Sequence, residues 1–520
     1  MKRIGLLSKC FAIALLLAMI GSELTGTSLA PNTIVARAEA ALPQATGISV
    51  AYHTEEEIRN YLKSSGAMIN DPVTYKEEPS TEAPYKAGSL TDETLNSSVK
   101  MVNQIRYIAG LSYNVELDKS YTEMAQAASL VNRVNRIMTH WPNRPSGMEE
   151  SLYQLGRKGA ESSNIASGYG PINSSLVEGY MEDGDSSNIE RVGHRRWILN
   201  PPMSATGFGY CDNFSAMYVF DKNNQAASEY GVVWPAQTMP TDYFGRDYPW
   251  SISMGYEVDK DKVQVKLIRM SDEKTWNFSS THSNGYFNVD NGGYGQKGCI
   301  IFRPDDVKYY VGGDVFQVTI SGLDTPVSYS VSFFDLVPVT SVTIKKTDTK
   351  ILKGQYLYLE ASVTPADASH GWVQWSSSDK AIAEAESADV MSHGWVVGKS
   401  YGTAIITAKS SNGLEATHKI TVVPKPIDVQ KVTSAKKGQV TVSYQKDKTV
   451  SGYEVVYATD SKFSKNKKTK VVNKASISKT TISKLKPGQI YYFKVRSYAL
   501  VDGKKVYGEY GDWDYEWVKN

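Results

Sequence analysis

Two histidines in the first half of the chain are the residues best suited to chemistry. His140 follows a predicted helix, and His194 lies in the segment 193–209, GHRRWILNPPMSATGFG. Two neutral imidazoles with a carboxylate suit a divalent ion such as zinc, and a metal held with one open position activates water for hydrolysis. The same groups can instead hydrogen-bond one another. Because imidazole titrates near neutral pH, binding at either kind of site is expected to depend on pH.

Sequence spacing alone does not bring these histidines together, so the surrounding elements must position them. After His194, the apolar residues 197–199 run into Pro201 and Pro202. These prolines end a helix, because proline lacks the backbone N–H and clashes with the preceding turn. Residues 207–209, Gly-Phe-Gly, are typical of a strand with close backbone approach at the glycines. His194 is therefore predicted at the end of a helix or loop, beside a strand.

Helices and a strand pair are predicted on both sides of the histidines. Thr54 can cap a helix that extends to Ser65, and Thr91 can cap a longer one that Gly110 ends. A further helix is predicted near residues 118–138, running towards His140. The stretch SSLVEGYMEDGD is a shorter helical piece, and the alternation in TGFGY and SAMYVFD predicts two strands of a hairpin or meander.

A series of short motifs runs through residues 91–236 in a distinctive order. It comprises a histidine after a helix, an acid before Asn-Ile-Ala, then Gly-Tyr-Met, Gly-His-Arg, Ile-Leu-Asn-Pro and Gly-Phe-Gly. In this order the segment resembles the CAP superfamily (cysteine-rich secretory proteins, antigen 5 and pathogenesis-related proteins), in its bacterial extracellular branch. GHRRWILNP is the most specific part, and NQIRYIAGL supports it. The resemblance implies an α/β/α sandwich with a cleft holding two histidines and two acidic residues.

The resemblance implies specific cleft residues in this chain. His140 and His194 match the two histidines, and Glu161 matches the first acid. Two serines separate Glu161 from the asparagine that normally follows directly. Asp183 falls at the usual position of the second acid, with Glu182 adjacent and a further acid, residue 178, one turn earlier. The candidate metal ligands are His140, His194 and Glu161. This branch often carries fewer acids, so a complete set of four is not required.

Beyond residue 236 the chain changes to strand patterns. Residues 237–337 are β-rich without a functional motif. Residues 338–424, with Trp375 and the 402–404 turn, resemble a bacterial immunoglobulin-like group 2 domain. Residues 425–520, with GYEVVYA and Tyr491 at a tyrosine-corner position, resemble a fibronectin type III domain. Residues 41–90 form an N-terminal helix and linker arm. The expected fold class is multidomain α+β: an α/β/α sandwich CAP domain, a β-rich unit and two β-sandwiches.

The N-terminus and the cysteines indicate the compartment. Residues 1–40 have a basic start, an apolar run over 10–21 and a small-residue cleavage site at 38–40, which predicts a signal peptide and export. An uncleaved membrane anchor is the alternative. No later stretch is long enough to span a membrane. Cys211 and Cys299 remain after cleavage, either bridged or as two buried free thiols.

Composition and missing motifs narrow the function classes. With 57 Lys+Arg against 55 Asp+Glu, the charge balance gives no reason to expect a nucleic-acid partner. The chain contains neither an HExxH helix nor a GxSxG elbow, and no LPxTG wall-sorting signal. Three hypotheses follow: a secreted module whose cleft binds a lipid, glycan or other cell-surface ligand, a metal-dependent extracellular hydrolase centred on His140 and His194, and an adhesin that acts through residues 338–520.

Overall fold

A computed structural model describes residues 44–345, 347–388 and 392–520. The predicted signal peptide lies outside the described residues. The helices are α1 Glu55–Ser65, α2 Asp92–Ile108, α3 Lys119–Asn135, α4 Glu150–Glu161, α5 Ile172–Ser174 and α6 Gly193–Ile198, with a π-helical turn at Ser175–Tyr180. Among the described residues, no helix combines the length and the apolar character needed to cross a bilayer.

The predicted helix starts are confirmed at atomic detail. Thr54 accepts a hydrogen bond from the Glu57 amide, and the Glu57 side chain accepts one from the Thr54 amide, which completes a capping box at α1. Thr91 caps α2 through the Thr94 amide. The helix predicted to reach residue 138 ends earlier, at Asn135, because Arg136 adopts a left-handed conformation with φ 54°. His140 therefore lies in a loop five residues beyond the end of α3.

The segment that holds both histidines is an α/β/α sandwich. Its strands are β1 Tyr75–Glu77, β2 Ser89–Leu90, β3 Glu116–Leu117, β4 Ser163–Ser167, β5 Ala205–Thr206, β6 Phe208–Cys211, β7 Phe214–Tyr218 and β8 Val232–Trp234. The central sheet has the order β4-β7-β6 and is antiparallel throughout. Small residues of α3 and α4 pack on one of its faces against Ile165 and Ala216. On the other face, Phe208 and Met217 join a core that includes α2.

The predicted close approach at the glycines is confirmed between β6 and α3. A Cβ added to Gly207 would lie 2.1 Å from the Thr122 amide nitrogen. One added to Gly209 would lie 2.2 Å from the Ala125 carbonyl oxygen. The strand after His194 can therefore pack directly on the helix before His140 only with glycine at these positions, and this contact brings the two histidine-bearing segments together.

The β-rich segment shares its core with the α/β/α sandwich. Its strands are β9 Thr238–Pro240, β10 Trp250–Ser253, β11 Gln264–Arg269, β12 Thr275–Phe278, β13 Gly285–Asp290, β14 Cys299–Pro304, β15 Val315–Ser321 and β16 Val327–Phe334. They form sheets β13-β14-β10-β8 and β12-β11-β15-β16-β9. One apolar cluster extends from Ile58 to Phe334 and includes Trp276 and Phe278. Thr46 pairs with Ser328, so the chain near residue 46 also joins this segment.

The last two segments are β-sandwiches. The first contains β17 Ser341–Ile344, β18 Lys350–Leu352, β19 Tyr356–Thr364, β20 Val373–Ser377, β21 Ala383–Ser387, β22 His393–Gly398, β23 Gly402–Ser410 and β24 Glu415–Val423. The second contains β25 Val429–Thr433, β26 Gln439–Tyr444, β27 Gly452–Ala458, β28 Lys468–Val472, β29 Lys479–Ser483, β30 Ile490–Val501, β31 Lys504–Tyr507 and β32 Asp514–Trp517. Each surrounds its own core. The Lys486 amide donates to the Tyr491 hydroxyl at 3.4 Å, as predicted for a tyrosine corner.

Polar contacts join the first β-sandwich, which contains β17 to β24, to the β-rich segment. His370 donates through Nδ1 to the Asp335 carboxylate at 3.0 Å, and Ser369 donates to Asp242 at 2.8 Å. The Tyr309 ring lies 4.8 Å from the Trp372 ring. These side chains hold the first sandwich at one end of the β-rich segment.

The two cysteines are free and buried in separate apolar clusters. Burial raises the pKa of the Cys211 thiol to about 12 and also raises that of Cys299. Of the two alternatives open from sequence, the structure has the pair of buried thiols.

Candidate functional site

A buried carboxylate fixes His194 at the start of α6. Asp183 Oδ1 accepts a hydrogen bond from His194 Nδ1 at 2.7 Å, and its Oδ2 accepts one from the Arg195 amide at 2.9 Å. The Asp183 side chain is fully buried, and that of His194 is 18% exposed. Asp183 itself has φ 47°, in the left-handed region. Both oxygens of this carboxylate are thus committed to the first turn of the helix that presents the imidazole.

The electrostatics of this pair favour a protonated His194. Burial acts to lower the pKa of His194, but the charge of Asp183 and its hydrogen bond to Nδ1 outweigh burial, and the pKa is raised. Since Nδ1 faces Asp183, the Nε2 side of the ring is the side left for a ligand.

The pKa of His140 is shifted in the opposite direction from that of His194. The Nδ1 of His140 donates to the Ala160 carbonyl at 2.7 Å, near the end of α4. The pKa of His140 is lowered, first by burial and further by the positive charge that His194 can carry. Within the described residues, the Nε2 of neither ring has a hydrogen-bond partner in the protein.

Several residues that support the site were not singled out from sequence. Arg195 is buried and donates to the carbonyls of Met181, Glu182 and Pro249, which fixes the backbone around Asp183. Burial lowers the pKa of Arg195 to about 10. Asn164 donates to the His194 carbonyl at 2.9 Å. The signal for Arg195 was available, because an arginine buried inside a short apolar helix needs acceptors in the interior.

The acidic residues predicted for the cleft lie in different parts of the structure. Glu161, the predicted first acid and metal ligand, is the last residue of α4 and exposed, and its carboxylate accepts from Arg157 Nε at 3.0 Å. It lies outside the hydrogen-bonded site because the helix continues through residue 161, and strand β4 begins only at Ser163. Ser163, directly before Asn164, is buried, and its hydroxyl has no partner among the described residues. Of the alternatives for the second acid, Asp183 meets His194, whereas Glu182 lines a different cavity.

The donor set does not fit the metal site expected from sequence. Among the described residues, the Nε2 of each imidazole has no hydrogen-bond partner, but the Glu161 carboxylate pairs with Arg157 and supplies no third ligand. Within the described ranges, no group of three or more His, Cys, Asp and Glu side chains is placed to hold a metal ion. A zinc site needs at least three such ligands. We therefore derive no chemistry from a metal at His140 and His194.

Exposed apolar side chains flank His140. Ile137, Met138 and Trp141 are 62%, 48% and 71% exposed, and all three lie in the loop after α3. The ring centroids of His140 and Trp141 are 6.0 Å apart. We call residues 137–141 the apolar loop. It places a strongly exposed indole next to a partly buried imidazole.

These elements define an α/β/α domain that holds an Asp-His pair and a second histidine. Residues 99–221, which include all three, match the model of the cysteine-rich secretory protein family (CAP). Residues 338–422 match that of the bacterial Ig-like domain (group 2). The chain thus contains a CAP domain and a bacterial Ig-like domain, which are typical of extracellular proteins.

Other comparisons add little. No curated protein matches the chain. Solved structures that it resembles include titin domains A168-A170 (14% identity, 52% of this chain, 93% of the other, TM-score 0.17). Others are the FN1-FN3 domains of chicken CNTN1 (12%, 52% and 95%, 0.18) and the FN5 domain of Drosophila Lar (17%, 19% and 99%, 0.16). The TM-scores of these structures are too low to establish the fold, which follows from the strand order.

Proposed function

We propose that the CAP domain binds an amphipathic ligand, with its polar head at His140 and His194 and its apolar part on the apolar loop. The observation that carries the proposal is the exposure of Ile137, Met138 and Trp141 beside His140. Scattered single apolar residues on a surface are ordinary, but a contiguous group marks a contact site for an apolar partner.

The two imidazoles determine which polar head group of a ligand the site can bind. The His140 ring donates through Nδ1 to Ala160, so its neutral form offers Nε2 as an acceptor. The His194 ring donates through Nδ1 to Asp183, so its protonated form offers Nε2–H as a donor. Their pKa values are shifted in opposite directions, which favours this combination near neutral pH. A hydroxyl group can donate and accept at once, so a long-chain alcohol or a sterol-like molecule fits this pair.

Calorimetric titration of the full chain with 1-decanol tests the proposal. Burial of one large apolar side chain contributes about 1.5–3 kcal/mol, so Trp141→Ala is expected to weaken binding about 10-fold or more. His194→Ala is expected to weaken it as well. Trp395→Ala, which removes an exposed indole from the first β-sandwich, is the matched control and is expected to bind like wild type. Equal binding by the two tryptophan variants, or none by wild type, would overturn the proposal.

We further propose that the protein acts outside the cytoplasm, at a lipid or another cell-surface ligand. The basic and apolar N-terminal residues and the extracellular character of CAP and Ig-like domains support this. N-terminal sequencing of protein recovered from the medium is expected to begin after residue 40, and recovery only in the cytoplasm would contradict export. Adhesion through residues 338–520 remains the second proposal. Surface binding that survives deletion of those residues would contradict it.

A further inference from the structure

A second cavity lies where three segments of the chain meet. Its volume is about 510 Å³, within the roughly 300–1,000 Å³ typical of small-molecule sites. The CAP domain contributes Tyr169, Glu178 and Glu182, and the β-rich segment contributes residues 244–248 with Tyr309 and Tyr310. His370 closes it from the first β-sandwich. Neither His140 nor His194 lines it, so it is separate from the candidate site described above.

Aromatic rings form much of the lining. Phe244 and Tyr310 are buried and pack edge to face at 5.2 Å. The Trp250 indole donates to the Tyr310 hydroxyl at 2.8 Å, and the Tyr248 hydroxyl donates to the Val177 carbonyl at 3.0 Å. The Tyr309 ring is 47% exposed. The cavity is therefore built from rings that packing and hydrogen bonds hold in place, with at least one ring open to solvent.

The charged groups of the lining are mainly acidic. The lining contains Glu178, Glu182 and Asp247 and one arginine, Arg246, whose Nε donates to Asp247 at 3.2 Å. The His370 Nδ1 is already bound to Asp335. Behind the cavity wall, the Arg195 guanidinium is committed to backbone carbonyls. The lining therefore carries more negative charge than its own cations neutralise.

Glu182 is the acid most in need of a partner. It is half-buried, and among the described residues its carboxylate has neither an ion pair nor a hydrogen bond. Burial raises the pKa of Glu182, the nearby charges of Asp247, Asp185 and Asp183 raise it further, and the charge of Arg195 opposes them without reversing the shift. The pKa of the Tyr169 hydroxyl is raised by burial and then by the charges of Glu182, Asp185, Glu178 and Asp183. A cation in the cavity would relieve this repulsion.

We propose that this junction cavity binds an organic cation, an ammonium group with alkyl substituents, between the tyrosine rings and the carboxylates of Glu178 and Glu182. Aromatic faces attract such cations through the ring quadrupole, and quaternary ammonium groups are recognised in this way. A metal ion is a poorer fit, because five tyrosine and phenylalanine rings line the wall and the described residues provide no group of three ligands. A neutral ligand would leave the acidic charge uncompensated.

Choline and its uncharged isostere 3,3-dimethyl-1-butanol are the probes, titrated into the full chain by calorimetry at low salt. Choline is expected to bind at least 10-fold more tightly than the isostere. Glu182→Gln is expected to weaken choline binding about 10-fold, and Glu386→Gln, an exposed acid of the first β-sandwich, is expected to leave it unchanged. Equal affinity for both probes, or no effect of Glu182→Gln, would overturn the proposal.

A second pair of variants tests the aromatic part without altering charge. Tyr309→Phe keeps the ring and is expected to bind choline within about 2-fold of wild type. Tyr309→Ala removes a half-exposed ring and is expected to weaken binding about 5-fold or more. Because Tyr309 is 47% exposed, neither variant is expected to unfold the chain. Equal binding by the two variants, or no choline binding by wild type up to about 10 mM, would also overturn the proposal.

Discussion

Replacement of Asp183 by asparagine perturbs the central pair most selectively. Asp183→Asn keeps the shape of the side chain but removes the charge that raises the pKa of His194. Burial of the imidazole, which acts in the opposite direction, remains. The pKa of His194 is therefore expected to fall from above its usual value of 6.5 to below it. Proton NMR titration of the histidine Cε1–H resonances, assigned with His194→Ala, measures this change directly.

The cost in stability follows from the two hydrogen bonds that Asp183 accepts. A hydrogen bond to a charged group contributes about 1.5–3 kcal/mol, and asparagine can still accept one of the two, so the loss of unfolding free energy is about 1.5–3 kcal/mol at pH 6. Because the folded pKa of His194 is raised, its contribution is complete below about pH 6.5 and is lost as pH rises through the folded pKa. The stability difference between wild type and Asp183→Asn should therefore be smaller at high pH than at pH 6.

Asp261→Asn, at an exposed acid of the β-rich segment, is the matched control for the loss of one carboxylate. It is expected to leave the pKa of His194 unchanged. Its unfolding free energy is expected to stay within about 0.5 kcal/mol of the wild-type value. If the pKa of His194 stays raised in Asp183→Asn, the carboxylate is not its cause, and the reasoning about the pair is wrong.

Three further predictions concern residues around the site and the core. Glu161→Gln removes an exposed ion pair with Arg157 and is expected to lower the unfolding free energy by less than about 1 kcal/mol. The pKa values of both histidines are expected to stay unchanged. A shift in the pKa of His140 would show that Glu161 belongs to the site. Arg136→Gly relieves a left-handed residue at the end of α3 and is expected to stabilise the chain by about 0.5–1 kcal/mol in urea unfolding, whereas destabilisation would show that the arginine side chain matters more than its backbone. Cys211 and Cys299 are expected to resist a thiol reagent in the native protein and to react after unfolding without reductant; failure to react after unfolding would indicate a bridge.

Local signals in the sequence predicted the local structure well. The capping residues Thr54 and Thr91 were predictable because a helix start depends on a few neighbouring side chains. The end of α3 was not, because the left-handed conformation of Arg136 has no glycine to signal it. The shared core of the sandwich and the β-rich segment depends on contacts such as Thr46 with Ser328, which no local pattern encodes.

The acidic residues show why the candidate site was harder to predict. The resemblance to the family placed Asp183 at the position of the second acid and left Glu182 and Glu178 as alternatives. In the structure, residues 175–180 form a π-helical turn, which adds a residue to each hydrogen-bonded ring. Asp183 then leaves the helix with φ 47°. These two backbone features direct Asp183 to His194 and Glu182 to the junction cavity. Neither follows from side-chain patterns alone.

The central claim is that His140 and His194 line one ligand site. The most direct test is to follow the Cε1–H resonances of both histidines by NMR while 1-decanol is added to the full chain near neutral pH. The account predicts that both resonances move and saturate with the same dissociation constant, and that neither moves in Trp141→Ala at the concentration that saturates wild type. A titration in which only one imidazole responds, or in which the two saturate at different concentrations, would contradict it.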